Sequence, residues 1–507
     1  MNEIAVHPDS AAKEAGPDAE AQFQLRAIQE WLSTPQSAQP ADELSPLHSH
    51  LATLRTSSAA GLQRADLLNR IYLRSRAVLA QLMPALQELA LPIPRKTRDM
   101  VRSMHGLLET LIDDMQTVPE ALADTDSAGH ARNIAVWRKL HALTQHLLIS
   151  DLVASPSGAG IWGQLHRTYV AGRQLQLADY IPEGEASCLQ HLYQAALLLG
   201  CAQPDSFTSG EISFIASYLQ RFVNCVEPPG SSSPNNASAF WFDPLRDSPA
   251  VPCARKPAPP ETAIRYFSCE PLAELINQQL AELSAGSSPL QANLPDFAGT
   301  PAGRGVLTRL AGYWGSPGKR RFPHRRRNHR AEVCAGLNKL WVLFQEDDAA
   351  PPEVSSWMIT NQSPDGYAIM HVGGKIGKLA VGDIAAIRSE CENGWQICLV
   401  RWALSENPEH LEMGLQILAP RAMPAIISLP SQVDGGERLP ALLLPEIPLV
   451  RSTEVLVTAS GALANQGSKI VLLVDRENIK VRQVRTTHIE EQTSSVEVFA
   501  ITPDNSP

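Results

Sequence analysis

The spacing of apolar residues changes once along this chain, and this change limits the folds that the sequence can adopt. Between residues 46 and 226, apolar residues recur about every 3.6 positions, and in 101–115 they form one stripe of a helix. After residue 330 the period shortens to about two, in short runs separated by Gly, Asn, Asp and Pro. We therefore expect a helical half followed by β structure.

The β half contains two successive sets of short apolar runs. The first set, within residues 340–418, reads LWVLF, SWMIT, GYAIMHV, GDIAAIR, GWQICLVRWAL and LEMGLQIL. The second set, within residues 424–501, reads PAIISL, LPALLL, EVLVTA, SKIVLLV, IKVRQV and SVEVFAI. Short strands of this kind suit a small antiparallel barrel, because closure leaves no exposed edge. The predicted fold class is multidomain α+β: an all-α domain, a six-stranded antiparallel β-barrel and a second barrel-like module.

Changes in composition divide the chain into five segments. Ala, Pro, Ser, Gln and Asp dominate the first segment, and clusters of Pro, Gly and Ser mark the third. The predicted segments are a mobile tail (1–45), a helical domain (46–226), a linker region with short strands and helices (227–318), the first barrel (319–420) and the second barrel-like module (421–503).

The bulk composition argues against several classes of protein. No apolar stretch is long enough for a membrane span, and the first residues lack the pattern of a secretory signal. The eight cysteines form no C-x-x-C pair, so we expect buried thiols, no structural metal site and a cytoplasmic location. The formal net charge of −10 disfavours general nucleic-acid binding, because the protein's field repels a polyanion.

One basic run stands out against this acidic balance. Residues 319–330, KRRFPHRRRNHR, contain seven Lys or Arg and two His. Within the run, Arg326 and Arg330 form an R-x-x-x-R motif, with Arg325 and Arg327 beside the first arginine. The planar fork of an arginine can bond guanine at O6 and N7 together, and can also pair with phosphate oxygens. The run therefore suits a phosphate-bearing or guanine-bearing ligand.

A second polar motif follows about thirty residues downstream. Asn361, Ser363 and Gly366 form an N-x-S-x-x-G pattern between two apolar runs. The asparagine offers a donor and an acceptor, and the serine offers a hydroxyl. The glycine suits a turn in which the backbone approaches a flat base or adopts positive φ.

Together and in this order, the two motifs resemble the signature of PilZ domains, a family of bacterial receptors for cyclic di-GMP. The later runs LAVGDIAAIR, CLVRWAL and LEMGLQIL are similar to the following strands of that family. The resemblance covers about residues 319–420 and implies a six-stranded PilZ-like barrel for the first β module. The second module lacks both motifs, so we expect it to serve packing or contact with a partner.

The resemblance also implies which side chains bind the ligand. The predicted ligand-binding residues are Arg325, Arg326, Arg327, Arg330, Asn361, Ser363 and Gly366. It assigns the arginines to guanine edges and phosphates, the Asn–Ser pair to a guanine, and the glycine to the shape of the turn. We find no motif that indicates catalysis, a metal site or a cofactor, so the expected function is that of a non-enzymatic receptor.

A mechanism for an effector follows from this interpretation. Ligand would order residues 319–330 against the barrel, and a hinge at Gly315–Gly318 would reorient the helical half towards a protein partner. The resemblance implies an output in motility, pilus, biofilm or exopolysaccharide control. The acidic residues Glu346, Asp347 and Asp348 are expected to hold the arginines when no ligand is bound.

Two other functions stay open at this point. The basic run could clamp the phosphates of a nucleic acid, or the barrel could be a structural interaction module without a ligand. The register of the first motif also has an alternative, because Arg321 and Arg325 form a second R-x-x-x-R. We prefer Arg326 and Arg330 because AEVCAGL follows Arg330 at once, where the first strand should begin.

Overall fold

The computed structural model describes most of the chain. The described residues are 17–57, 59, 61–121, 126–232, 236–260, 263–318, 322–345, 352–391, 394–407, 410–428, 438–447, 451–463, 469–474 and 480–504. They divide into two compact units, one within residues 1–83 and 100–143 and the other within residues 84–99 and 144–507. No helix in the described part of the chain is long and apolar enough to cross a lipid bilayer.

The first unit is helical. Its helices are α1 (Pro17–Ser33), α2 (Leu44–Thr56), α3 (Gly61–Leu82), α4 (Arg95–Ala121) and α5 (Asp126–Leu152), and the last two continue into the second unit. The apolar stripe predicted within residues 101–115 is buried along α4, from Val101 to Met115. Burial of one face at a 3.6-residue period is what turns this amphipathic sequence into a packed helix.

The second unit begins with further helices and a small sheet. The helices are α6 (Ile161–Gln174), α7 (Leu189–Cys201), α8 (Ser209–Phe222), α9 (Glu270–Ser284) and α10 (Pro301–Gly315). The sheet has the order β2-β1-β3, with β1 at Ala239–Phe242, β2 at Val251–Pro252 and β3 at Arg265–Ser268. A capping box starts α8, because Thr208 Oγ1 accepts the N–H of Glu211 and the Glu211 carboxylate accepts the N–H of Thr208.

Two closed antiparallel barrels follow. The first has the order β4-β5-β6-β9-β8-β7, with strands β4 (Arg325–Ala335), β5 (Ser355–Ser363), β6 (Gly366–Gly373), β7 (Ile384–Ser389), β8 (Gln396–Asn407) and β9 (His410–Ala419). The second has the order β10-β11-β12-β15-β14-β13, with strands β10 (Met423–Ser428), β11 (Leu439–Leu444), β12 (Val455–Ala459), β13 (Lys469–Val474), β14 (Lys480–Gln492) and β15 (Val496–Pro503). The predicted fold class is confirmed.

The two barrels share a hydrophobic core. Fully buried residues from the first barrel, such as Ile384, belong to the same cluster as Leu442 and Val498 from the second. Polar contacts also join them, because the Thr493 hydroxyl donates to the Gly382 carbonyl at 2.9 Å. The free energy gained by burying apolar surface is proportional to the area removed from water. This joint core therefore stabilises both barrels together.

One run predicted as a strand is a helix. LWVLF lies largely in α11 (Leu337–Leu343), and the basic run itself supplies the first strand of the barrel. Leu337 and Leu340 are buried on one face of α11, and the Trp341 indole donates to the Ala425 carbonyl at 2.9 Å. A short apolar run has no period that separates the two structures, so only its packing decides between helix and strand.

Candidate functional site

Strand pairing brings the two predicted motifs together. In the β4–β5 ladder, Arg326 lies opposite Asn361, and Arg325 lies opposite Gln362. Directly opposed residues of an antiparallel pair project to the same face of the sheet, about 4.5–5.5 Å apart at Cβ. Arg326 therefore faces the second motif across one strand spacing. The arginine motif is part of the barrel wall rather than a segment that precedes the first strand.

Arg330 lies further along the same strand, opposite Met358. On β5, the neighbours Trp357 and Ile359 are buried in the barrel, whereas Met358 is half-buried. Alternation along the strand therefore places Arg330 on the outer face. Between Arg326 and His329, β4 advances three residues while β5 advances two, which is a β-bulge. Before the bulge the burial of β4 does not alternate: residues 325–328 are all exposed, and Arg330 is exposed as well.

The two motif arginines have free guanidinium groups within the described part of the chain. Neither Arg326 nor Arg330 has a side-chain hydrogen bond, ion pair or ring contact there. Arg327 differs, because its Nε donates to the Gln362 side chain at 3.1 Å. Exposed arginines without partners lower the stability of the fold only through their mutual repulsion, and water and salt screen that repulsion. Arg326 and Arg330 are thus available to an anionic ligand.

Asn361 carries an unsatisfied acceptor. Its Oδ1 is buried and has no hydrogen-bond partner among the described residues. A buried polar atom without a partner costs about 1–3 kcal/mol, so natural structures rarely leave one. An incoming N–H group on the outer face next to Arg326 would satisfy this oxygen. Guanine presents such donors at its ring N–H and its exocyclic amine.

Ser363 and Gly366 shape the hairpin between β5 and β6. The Ser363 hydroxyl is buried and donates to the Asp365 carboxylate at 2.5 Å, with the Gly366 carbonyl 3.3 Å away. A Cβ on Gly366 would lie 2.1 Å from the Leu415 carbonyl oxygen of β9. Gly366 is not among the glycines with positive φ, so of the two expected reasons for a glycine here the positive φ does not apply. The close approach of β9 is the reason that the structure gives for this glycine.

A tryptophan that the motif search missed lies in the same row of residues. The register runs across the sheet from Asn361 to Ala368 on β6, to Gly414 on β9 and to Trp402 on β8. A Cβ on Gly414 would lie 1.8 Å from the Trp402 indole nitrogen, so the ring rests directly on this glycine. Both residues occur in runs noted in the sequence, but only the strand register shows that they meet.

A groove extends the site from Arg330 towards the β7–β8 turn. It has a volume of about 1020 Å³, and its walls include Glu332, Arg388 and Trp395. The Arg388 guanidinium donates to Glu332 at 2.5 Å and lies 4.7 Å from the centre of the Trp395 ring. Pockets of this size commonly hold nucleotide-sized ligands. Lys319–Arg321 and the acidic residues 346–348 lie outside the described residues.

Comparison with known proteins identifies the family. A family described as the N-terminal domain of the cyclic-di-GMP receptor FimW matches residues 26–229, and one described as its middle PilZ domain matches residues 341–424. The cyclic-di-GMP receptor FimW of Pseudomonas aeruginosa is 20% identical over 494 residues, covering 82% of this chain and 80% of the relative. The chain belongs to the PilZ-domain cyclic di-GMP receptor family. The resemblance seen in the sequence is confirmed.

The family matches cover the two motifs unequally. The PilZ match spans most of the first barrel, including Asn361, Ser363 and Gly366, but begins after Arg330. The match to the N-terminal domain spans helices α2 to α8 and part of α1. Membership of a PilZ receptor family therefore rests on the barrel and the helical region, while the role of the arginines rests on the geometry above.

The hairpin glycine gives a first testable prediction. Gly366→Ala places a methyl group against the Leu415 carbonyl, so we expect the free energy of unfolding to fall by about 1–3 kcal/mol. Gly373→Ala, at the other end of β6, is the matched control because nothing lies within 4 Å of its added Cβ. Urea denaturation of both variants and the wild type measures the difference. Equal midpoints for the two variants would contradict the contact with β9.

Proposed function

We propose that this chain is a non-enzymatic receptor and effector for cyclic di-GMP, and that the ligand binds on the outer face of the first barrel. The observation that carries the proposal is the register that sets Arg326 opposite Asn361. It places a free guanidinium group opposite a residue whose buried amide oxygen has no partner among the described residues. A guanine offers O6 and N7 to the arginine and N–H donors to the amide.

The other predicted residues support this contact in different ways. Arg330 lies four residues further along β4, where it can pair with a phosphate of the same compact ligand. Ser363 and Gly366 fix the hairpin that carries Asn361, so their contribution is mainly to its position. Arg325 and Arg327 add positive charge around the site. A local patch of this kind outweighs the net negative charge within about 8–10 Å.

Calorimetric titration with cyclic di-GMP tests the arginines. We expect Arg326→Ala and Arg330→Ala each to weaken binding by about 10- to 150-fold, because a hydrogen bond to a charged group contributes about 1.5–3 kcal/mol. Arg421→Ala, at an exposed arginine between β9 and β10, is the matched control and should bind as the wild type does.

The same titration separates this proposal from the nucleic-acid alternative. A phosphate clamp would bind single-stranded RNA with an affinity that falls steeply with salt, and every basic residue of the run would contribute. No heat with cyclic di-GMP from the wild type would reject the receptor proposal. Steep, salt-dependent RNA binding would then favour the alternative.

Trp402 offers a surface on which a base can stack. Its ring rests on Gly414 in the same row as Asn361, on the face that also carries Arg326. Stacking of a base on an aromatic side chain contributes about 1–3 kcal/mol. We therefore include Trp402 in the proposed site, next to the residues found in the sequence.

Substitution of Trp402 tests the stacking contact. We expect Trp402→Ala to weaken cyclic di-GMP binding by about 5- to 150-fold and Trp402→Phe to retain most of the affinity, because a phenyl ring still stacks. Because the chain has nine tryptophans, the fluorescence change on titration is compared between the wild type and Trp402→Phe, and the difference is the second readout. Wild-type affinity in Trp402→Ala would place the ligand away from β8.

The effector step requires a route from the site to the rest of the molecule. Gln416, opposite Gly366 of the hairpin, accepts a hydrogen bond from Arg401, whose guanidinium group also pairs with Glu491 of the second barrel. Next to this pair, a Cβ on Gly305 of α10 would lie 2.0 Å from the Gln492 carbonyl. These contacts form one continuous path from the hairpin to α10.

We propose that ligand binding uses this path, together with the segment Gly315–Gly318, to reorient the helical region towards a protein partner in the cytoplasm. Ligand can shift this equilibrium only by its difference in affinity for the two arrangements. The output that the family resemblance implies is control of motility, pili, biofilm or exopolysaccharide.

Hydrogen exchange tests the proposed route. Saturating cyclic di-GMP should slow amide exchange in residues 322–330, because the ligand restrains β4 and the residues just before it, and should change exchange in Pro301–Gly315. Arg330→Ala at the same ligand concentration serves as the control and should show neither change. If ligand protects β4 but the exchange rates in α10 are the same with and without ligand, the route is wrong. The proposed binding site would then still stand.

A further inference from the structure

Three side chains with metal-binding chemistry converge beside the arginine motif. His329 comes from β4, and Glu390 and Cys391 come from the turn after β7. One ligand atom from each residue lies within 4.8 Å of the other two, and His329 Nδ1 is 3.8 Å from a Glu390 carboxylate oxygen. His329 is half-buried, and the other two are exposed. None of the three is a proposed ligand contact.

Backbone pairing holds this cluster in place. The β4–β7 ladder ends at the pair Ala331 and Ser389. Beyond it, the Glu390 N–H donates to the Arg330 carbonyl at 3.0 Å, and the Arg330 N–H donates to the Glu390 carboxylate at 3.1 Å. The Cys391 N–H then donates to the Ser389 hydroxyl at 3.3 Å. The turn is thereby fixed to the strand that carries His329.

We propose that His329, Glu390 and Cys391 form a site for Zn²⁺. Imidazole nitrogen, carboxylate oxygen and thiolate sulfur are the donors that zinc takes from proteins, and three of them leave its fourth position for water. The donors need to approach to about 3.5 Å, the edge of a tetrahedron with zinc bonds of about 2.0–2.3 Å. The exposed side chains of Glu390 and Cys391 can rotate to close this distance.

The charge of the donor set suits a cation next to arginines. One thiolate and one carboxylate neutralise the two positive charges of zinc, while the imidazole binds in its neutral form. The loaded site as a whole therefore carries no net charge. Zinc binding also neutralises the negative charge of Glu390. In the structure, the Glu390 carboxylate accepts the backbone N–H of Arg330.

Zinc at this site is expected to strengthen binding of cyclic di-GMP, a step that rests on the proposed function. His329 lies between Arg326 and Arg330 in β4, so a metal bond to it fixes the strand that presents both guanidinium groups. Neutralising Glu390 leaves Arg330 with a stronger attraction for phosphate. By linkage, cyclic di-GMP would tighten zinc binding by the same factor.

Titration of the full-length protein with Co²⁺ and Zn²⁺ tests the metal site. Co²⁺ should give the sulfur-to-metal charge-transfer absorption of a cysteine ligand in the wild type, and Cys391→Ala should lose it. His329→Ala should weaken zinc binding at least tenfold. The matched controls are Cys225→Ala, an exposed cysteine elsewhere, and His410→Ala, whose imidazole is 3.1 Å from the Glu412 carboxylate. Both controls should bind as the wild type does.

Two results would overturn the metal site: no zinc binding by the wild type, or equal binding by wild type and Cys391→Ala. The coupling has its own test, a cyclic di-GMP titration of zinc-loaded and chelator-treated protein. We expect about three- to tenfold tighter binding with zinc in the wild type and no difference in Cys391→Ala. Equal affinities in the wild type would reject the coupling. Cysteine-dependent zinc binding without any cyclic di-GMP binding would reject the proposed function and retain the metal site.

Discussion

Closure of the first barrel is the constraint on which the candidate site depends. To close, β4 has to pair with β5 on one side and with β7 on the other. The first pairing sets Arg326 beside Asn361, and the second brings the turn at Glu390 to His329 and Arg330. The strongly basic segment becomes a strand here because its backbone pairs with β5, and Arg330 also bonds to Glu390, while its side chains stay in water.

The second barrel gives the first one a rigid support. Besides the shared core, two half-buried polar contacts hold the loop before β7: the Ser495 hydroxyl donates to Asp383, and Asp383 accepts the N–H of Ala380 at 2.8 Å. Burial raises the pKa of Asp383, which these hydrogen bonds only partly offset. The second barrel thus holds the loop that leads into β7, and its Glu491 pairs with Arg401 of the first barrel.

Sequence reasoning reached the fold class because period and turn residues are local properties. The runs after residue 354 became strands, Thr208 and Glu211 form the capping box, and α4 buries the predicted stripe. It failed at LWVLF, where two turns of helix and a strand carry the same apolar pattern. It also placed the arginines before the first strand, since a charged run without alternation gives no strand signal.

The amino-acid sequence by itself determined that the chain has a helical half and two β modules, and that arginines and an N-x-S-x-x-G motif belong to the first module. Only the tertiary structure decided which side chains meet: Arg326 with Asn361, Trp402 with Gly414, and His329 with Glu390 and Cys391. The physical reason is that strand register and barrel closure depend on backbone hydrogen bonds between residues far apart in the chain. Every residue type except proline can make those bonds in the same way, so the side chains alone do not reveal which strands pair.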